Sequence, residues 1–289
     1  MGWQRGTGWN TAANWSTNSV PLAGGSVIIP GGLVNYPVLA NAVTINSLDM
    51  RDGSQLDFNG FNMTITTVAG DFIYIFGAEL NNSNAATDVV INISSLPGYH
   101  SYVRNTTVND NITFNISGTT NFYEADNAAT GNHFTGNTTF NYAGTGNLYL
   151  SQADTSLYDG NLTVSRTAAG ITDAFNGGAV IGGNFSFTNN TAGNSLFGTI
   201  SRRTSIGGTV NIAINNTTPG SFELIRLVNQ TGGGNISVQN SIGFDVRNDT
   251  LLLNTFNISG YQGADFGYLY YNDITGNLTI TESAVHIAG

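Results

Sequence analysis

Short runs in which apolar and polar residues alternate recur along the whole chain. Examples are GNTTF, GNLTV, GNFSF, GGTVNI, GGNISV, NTFNI and GNLTI. Alternation with a period of two is typical of a β-strand with one buried face, whereas an amphipathic helix repeats every 3.6 residues. No stretch of the chain shows a convincing 3.6-residue pattern. The sequence therefore predicts an all-β protein.

These runs repeat at a nearly constant interval. Aligned on the polar residue before the first apolar position, they fall at Ser26, Ala42, Asn62, Asp88, Asn111, Asn137, Asn161, Asn184, Thr209, Asn235, Thr255 and Asn277. The eleven intervals cover 251 residues, which is about 23 residues each. The positions one and three residues further on are apolar in every run, except at Thr138. One such strand cannot bury its own apolar face, but a stack of them can.

The segments between these runs predict further strands and corners. NLYLSQ, SLFGTIS and SFELIRLV indicate a second strand in most turns, and AVIG or DTLLLN a third. Glycines before the aligned positions, such as Gly136 and Gly160, are expected to supply the permissive backbone of a corner. Because parallel crossovers are right-handed, we predict a right-handed parallel β-helix of about twelve coils, each of about 23 residues and three short strands.

The two ends of the chain differ. All three tryptophans (Trp3, Trp9 and Trp15) lie near the start, so residues 1–24 are predicted to cap a β-helix that comprises residues 25–289. Nothing resembling a polar lid follows Ile280. We therefore expect the last coil to continue into further chain beyond Gly289, or to be covered by a partner, including another copy of the chain bound head-to-tail.

Composition narrows the range of partners. The chain of 289 residues has no Lys, eight Arg and eighteen Asp and Glu, for a net charge of −10. Nucleic acid is therefore not an expected partner, because phosphate binding needs a basic surface. No apolar run approaches the roughly 20 residues of a membrane span. Without Cys there are no disulfides and no thiolate metal sites.

No metal or cofactor is expected from the remaining residues. His100, His133 and His286 share no metal-ligand spacing, and we expect them at the surface or in turns. Aromatic residues of the second and third strands, such as Tyr149, Tyr158, Phe222 and Phe244, are mostly expected in the core.

The chain also resembles a known class of proteins. WNTAANWSTNSVPLAGGSVIIPGG, followed by INSLDM, GSQLDFNGFNMTI and serial GNLTV or GGNFSF units, is similar to very large secreted surface proteins and adhesins of gliding Gram-negative bacteria, including type IX secretion cargo. The resemblance implies an extracellular, cell-surface location and an adhesive, filamentous or stalk-like role. These motifs are architectural, so no functional residue carries over.

Asn-X-Ser/Thr occurs eighteen times in the chain. Possible glycan acceptors at the aligned positions are Asn62, Asn111, Asn137, Asn161, Asn184, Asn235 and Asn277. Thr250, within Asp249-Thr250-Leu251, resembles the short O-glycan acceptor pattern of such bacteria. The alternative is a polar exterior ladder, because a strand whose outer residues are Asn and then Thr contains this tripeptide automatically.

Two hypotheses for function remain open. The first is a non-enzymatic extracellular module, adhesive or fibre-forming, that binds a carbohydrate, a cell-surface ligand or its own copies. The Tyr-rich run GYLYYND suggests Tyr268, Tyr270 and Tyr271 as a carbohydrate contact. Regular spacing favours this hypothesis, because an active site usually interrupts a solenoid with long loops.

The second hypothesis is a polysaccharide lyase or glycoside hydrolase. Asp245 and Asp265 each follow their aligned position by ten residues, so they are expected to stack on adjacent turns, with Arg226 and Arg247 on neighbouring turns. Paired carboxylates of this kind serve glycoside cleavage. The alternative for the same residues is a set of surface salt bridges.

Overall fold

The chain is a parallel β-solenoid of about ten turns of about 23 residues, which confirms the predicted fold class. The computed structural model describes residues 1–67, 73–95, 100–126, 130–261, 267–270 and 272–282. Within these ranges the only helix is the short 3₁₀ turn Ala12–Asn14. The right-handed winding stays a prediction.

The strand pairings form three columns, which are the three sides of the coil. The first sheet contains Val43–Ile45, Met63–Thr67, Val89–Ser95, Ile112–Gly118, Thr138–Tyr142, Leu162–Arg166 and Phe185–Asn189. The second contains Ser26–Ile29, Ser47–Met50, Ile73–Phe76, His100–Arg104, Asn121–Glu124, Leu148–Leu150, Thr172–Ala174, Ser195–Phe197 and Gly267–Tyr270. The third contains Gln55–Asp57, Glu79–Asn81, Thr107–Asn109, His133–Phe134, Ser156–Tyr158, Ala179–Ile181, Thr204–Ile206 and Leu227–Asn229. Longer strands bend from one sheet into the next: Val210–Ile225, Asn235–Arg247, Thr250–Tyr261 and Asp273–Glu282.

The inward positions of all three sheets form one continuous apolar interior. Phe114 and Phe140 stack across adjacent turns with ring centroids 5.1 Å apart, and Phe134 and Tyr158 stack at 5.0 Å. Thr138, the one polar residue at an inward aligned position, is fully buried, and its hydroxyl has no hydrogen-bond partner. It occupies the interior column because it pairs in register with Ile112 and Leu162, which are both buried.

Three of the aligned positions do not have the register that the sequence pattern suggested. The strand at Ser26 pairs with Ser47–Met50 and belongs to the second sheet, so eleven rather than twelve of the aligned positions lie in the first sheet. Met63 pairs with Ile91 rather than Val89, and Ile236 pairs with Ile212 rather than Val210. Both shifts are two residues long. Such a shift leaves every side chain on its original face, so the alternating pattern could not reveal it.

The corner before the first sheet explains the repeated Gly-Asn. A Cβ on Gly160 would lie 2.8 Å from backbone atoms of Gly136 and Asn137, so close stacking, rather than a positive φ, requires glycine there. The following Asn side chains form a ladder, in which each Oδ1 accepts the backbone N–H of the next turn. This ladder comprises Asn111, Asn137, Asn161, Asn184 and Thr209, with distances of 2.7, 2.9, 2.8 and 2.8 Å.

Two charged side chains lie inside the stack. Glu124 accepts hydrogen bonds from Asn132 Nδ2, Ser151 N, Ser156 Oγ and the Tyr158 hydroxyl at 2.5 to 3.0 Å. Its burial raises the pKa of the carboxyl, although these donors oppose the shift. Arg166 donates to four backbone carbonyls and lies 4.8 Å from the Tyr142 ring. Burial lowers the pKa of its guanidinium to about 10. Both groups are enclosed, so their role is structural.

The tryptophans close the first end of the stack. Trp3, Trp9 and Trp15 are almost completely buried, and Trp15 contacts both of the others edge to face at 4.7 and 4.9 Å. Trp3 N donates to Ile28 O, and Trp9 N donates to Val38 O, so the segment also pairs with the edge of the first turn. The division into a cap and a repeat domain stays a prediction. No helix in the described ranges is both long and apolar enough to span a membrane.

Candidate functional site

One outward-facing row of side chains runs along the second sheet for the length of the solenoid. The middle residue of each strand points outward because its two neighbours point into the core. We call this the outer row. It comprises, in register, Asp49, Tyr74, Tyr102, Tyr123, Tyr149, Asp173, Leu196, Glu223, Asp245 and Tyr268.

Four consecutive members of the outer row are tyrosines, which we call the tyrosine segment. Tyr102 and Tyr123 stack with ring centroids 5.2 Å apart, and Tyr123 and Tyr149 stack at 4.6 Å with planes 8° apart. Tyr74 meets Tyr102 edge to face at 6.3 Å. All four are half-buried. Tyr149 therefore faces outward, and the expectation of a core position for it is wrong.

The neighbours of the tyrosine segment hold the rings in place. The guanidinium of Arg104 lies 4.2 Å from the Tyr102 ring centre and also pairs with Asp126. That hydrogen bond to Asp126 raises the pKa of Arg104. Asn121 Nδ2 donates to the Tyr123 hydroxyl at 3.1 Å, and burial raises the pKa of Tyr102. The segment is thus a rigid surface with few side-chain rotamers left to lose on binding.

The stacking decides which part of each ring a ligand can reach. Tyr123 lies between Tyr102 and Tyr149, so both of its faces are covered. What remains open is the ring edge and the hydroxyl, repeated at the strand spacing of about 4.8 Å. Such a surface offers apolar contact and hydrogen bonds at regular intervals, but no wide aromatic platform.

Beyond Tyr149 the outer row becomes acidic. Asp245 is almost completely buried and pairs with Arg247, two residues along the same strand. Its neighbours in the row are Glu223 on one side and Tyr268 on the other. Burial also raises the pKa of Asp173. This part of the row differs chemically from the tyrosine segment although the two share one sheet face.

An arginine-lined depression lies where the second sheet turns into the third. Arg203, Arg226, Val228, Asn248 and Thr250 line a pocket of about 250 Å³, which we call the arginine pocket. Arg226 and Asn248 are equivalent corner residues of adjacent turns, because the residues before them, Ile225 and Arg247, are ladder partners. Arg203 precedes the third-sheet strand of the preceding turn.

A larger cavity of about 400 Å³ adjoins the arginine pocket. It shares Arg226, Asn248 and Thr250 with that pocket and is otherwise lined by Ile200, Asp249, Asn272 and Asp273. Asp249 is buried, and its Oδ1 accepts the backbone N–H of Leu227 at 2.7 Å. Its Oδ2 has no hydrogen-bond partner. Burial raises the pKa of this carboxyl to about 8, so at neutral pH it is mostly protonated.

The structure changes the interpretation of the predicted enzymatic residues. The ladder partner of Asp245 is Tyr268, so the expected stacking of Asp245 against Asp265 is wrong, and Asp265 lies outside the described residues. Arg247 pairs with Asp245, as the salt-bridge alternative supposed. Arg226 instead lies in the arginine pocket, and its Nη1 donates to Ile200 O at 2.8 Å.

The predicted carbohydrate contact is only partly described. Tyr268 is half exposed and belongs to the outer row, in which it lies five positions beyond Tyr149. Tyr270 ends the strand Gly267–Tyr270, but its side chain and the whole of Tyr271 lie outside the described part of the chain. His133 pairs with Asp159 at 2.9 Å, and His286 is also outside the description.

The predicted glycan acceptors lie on the outside of the first sheet. Asn62, Asn137, Asn161, Asn184, Asn235 and Asn277 are exposed, and Asn111 is half-buried. Asn111 Nδ2 donates to Asp88 at 3.0 Å and Asn161 Nδ2 donates to Asn137 at 2.9 Å, so these two amide nitrogens already have partners in the ladder. Thr250 is half-buried between Val228 and Asp273 in the third sheet. Glycosylation of these residues stays a prediction.

Sequence reasoning missed the tyrosine segment and the arginine pocket. The tyrosines are separated by 28, 21 and 26 residues, so only the observed register brings them into one row. Among the residues that the structure describes, no three His, Asp or Glu side chains are grouped as metal ligands. No family model, no curated protein and no solved structure matches the chain.

Proposed function

We propose that the chain is a non-enzymatic, extracellular structural and adhesive module, and that the outer row of its second sheet is the surface that binds a carbohydrate. The observation that carries this proposal is the tyrosine segment, in which four half-buried tyrosines lie in register on one sheet face. The secreted, cell-surface location is part of the same proposal and rests on the resemblance described above.

The chemistry of the tyrosine segment suits a repeating ligand. Tyrosine combines a large apolar area with a hydroxyl and has only two side-chain torsions, so little conformational entropy is lost when it makes contact. A polysaccharide presents apolar ring surfaces and hydroxyls at regular intervals. The rigid spacing of the solenoid, about 4.8 Å per turn, lets several tyrosine hydroxyls contact one extended chain.

The surroundings of Asp245 support a non-enzymatic role. A general acid or base must be able to reach the proton that it transfers. Asp245 is 3 % exposed, and its carboxylate is engaged by Arg247. If the protein cleaved polysaccharides through this residue, Asp245→Asn would abolish the release of new sugar ends. We expect no such release from the wild-type protein.

The test of the binding surface uses the purified chain and immobilised neutral and acidic polysaccharides. The triple variant Tyr102→Thr, Tyr123→Thr and Tyr149→Thr removes three outward rings while keeping residues that favour strands. We expect binding to fall at least about tenfold, because several contacts are lost together.

The matched control is Leu157→Thr, which removes an exposed apolar side chain from the third sheet. This control is expected to bind like the wild type. The proposed function is wrong if the wild-type protein binds none of the polysaccharides, or if the triple variant binds them as tightly as the wild type does.

A further inference from the structure

We propose that the arginine pocket binds the acidic group of a polysaccharide, a carboxylate or a sulfate. This inference rests on the proposed function, because it assigns a ligand class to the corner that borders the outer row. It adds a second site, chemically distinct from the tyrosine segment, that selects acidic over neutral sugars.

The first observation is the pair of guanidinium groups in the pocket. Arg203 and Arg226 take part in none of the ion pairs formed within the described ranges, which involve Arg51, Arg104, Arg247 and His133. Arg226 Nη1 donates to the backbone carbonyl of Ile200 at 2.8 Å. Guanidinium groups pair with carboxylates and sulfates through two parallel N–H bonds.

The second observation is that none of the described residues lining the arginine pocket carries a carboxylate. Val228, Asn248 and Thr250 complete the pocket and are all neutral. The adjoining cavity contains Asp249, whose carboxyl is buried against Leu227 N, and the exposed Asp273, which lies one turn further along the third sheet. In a chain with a net charge of −10, this local concentration of positive charge is the feature that would recognise an anion.

The position of the pocket connects it to the outer row. Ile200 lines the cavity next to the arginine pocket and also a second cavity that contains Glu223 and Arg247, whose strand belongs to the second sheet. The pocket therefore borders the acidic part of the outer row, so an acidic unit of the polysaccharide is expected over the arginines and not over Glu223. The volume of about 250 Å³ is below that of most drug-sized ligand sites, so the pocket suits one charged unit of a longer chain.

The experiment measures binding of alginate oligosaccharides, dextran sulfate and neutral dextran to the purified chain at low and high salt. The variant is the double substitution Arg203→Asn and Arg226→Asn. Asparagine is the residue that the chain itself uses at the equivalent corner position, Asn248, so the fold is expected to persist. The control is the double substitution Arg5→Asn and Arg202→Asn, which removes the same charge from residues outside the pocket lining.

We expect the Arg203/Arg226 variant to bind the acidic polysaccharides at least about tenfold more weakly, while dextran binding stays unchanged. Wild-type binding of the acidic polysaccharides should weaken as salt rises. Loss with alginate alone assigns a carboxylate, and loss with dextran sulfate alone assigns a sulfate. The inference is overturned if both acidic probes bind the variant like the wild type, or if the control loses as much affinity.

Failure of this inference is distinguishable from failure of the proposed function. If the tyrosine triple variant loses binding to dextran while the arginine variant keeps binding to both acidic probes, only the arginine pocket is refuted. If the arginine variant loses acidic probes while the tyrosine variant binds everything normally, the tyrosine segment is refuted and the pocket stands.

Discussion

At the residue scale, Glu124 and Arg166 are fully buried, and hydrogen bonds within their own turns and to adjacent turns satisfy both. Arg166 donates to four backbone carbonyls, and Glu124 accepts from side chains of its own turn and of the next turn. Asp249 is different, because its Oδ1 is paired with Leu227 N whereas its Oδ2 is not. An unsatisfied buried carboxylate oxygen is costly, so this residue holds its proton.

Asp249 makes the stability of the protein depend on pH. Its carboxyl pKa is raised by burial from the ordinary 3.8 to about 8 in the folded chain. An acid that holds its proton more tightly when folded stabilises the protein most below pH 4, and this contribution is lost as the pH rises towards about 8.

We therefore expect Asp249→Asn to raise the unfolding free energy by about 1–3 kcal/mol at pH 8 and to change it little at pH 4. Chemical denaturation at both pH values measures the difference. Glu124 contributes a fall in the same direction and should remain in the variant. An equal effect at pH 4 and pH 8 would contradict the assignment of the proton to Asp249.

At the element scale, the strands are held by two outward devices as well as by the core. The asparagine ladder ties the corner of each first-sheet strand to the next turn, and the tyrosine segment stacks across the second sheet. The recurring Gly-Asn is thus explained by backbone stacking and by hydrogen bonds between turns. The Asn side chains have a structural use that is independent of glycosylation.

The ladder predicts a specific cost for losing one asparagine. Asn161 Oδ1 accepts from Asn184 N, and its Nδ2 donates to Asn137 Oδ1. Asn161→Ala should lower the unfolding free energy by about 1–2 kcal/mol, whereas Thr163→Ala, on the outer face of the same strand, should cost less. Urea denaturation of unglycosylated protein from a bacterial host measures both. Equal costs would show that the ladder does not stabilise the corner.

The interior column makes a stronger prediction. Leu162 is fully buried, so Leu162→Asp would place an unpaired charge among stacked apolar side chains and should prevent folding. Leu157→Asp is the matched control, because Leu157 is 39 % exposed on the outside of the third sheet. Circular dichroism and thermal melting distinguish the two. A native-like melt for Leu162→Asp would be incompatible with the observed register.

At the scale of the whole molecule, the stack must protect its ends. Ten steps of about 4.8 Å make a rod on the order of 50 Å long, and each terminal turn would present unpaired backbone groups over an apolar interior. At the first end, Met1 O accepts from Ile28 N and Trp3 N donates to Ile28 O. The tryptophans cover the apolar residues behind this edge.

Removing residues 1–24 should therefore expose the first turn and promote aggregation. Light scattering over a range of concentrations measures this, with the chain of residues 1–289 as the control. The reason is that a free parallel edge accepts a strand from another molecule. A truncated chain that stays monomeric at high concentration would show that the tryptophan segment is not needed to protect the edge. Head-to-tail association of the intact chain stays a prediction.

The sequence by itself determined the class of fold, the interval of about 23 residues and the face on which the side chains of the first-sheet strands lie. These follow from the alternation of Val, Ile, Leu and Phe with Asn, Thr and Ser, because only stacking can bury a strand with one apolar face. Even the exception, Thr138, was identified from its position in the pattern.

The tertiary structure alone decided which residues of different turns lie side by side. A two-residue shift, as between Met63 and Ile91, keeps every side chain on its face, and the alternating pattern is therefore blind to it. The turns also differ in length, so the members of the outer row do not recur at a constant interval in the sequence. The arginine pocket brings Arg203, Arg226 and Asn248 together from three turns, and no local signal in the sequence relates them. Alternation thus decides which way a side chain faces, and the stacked register decides what it meets there.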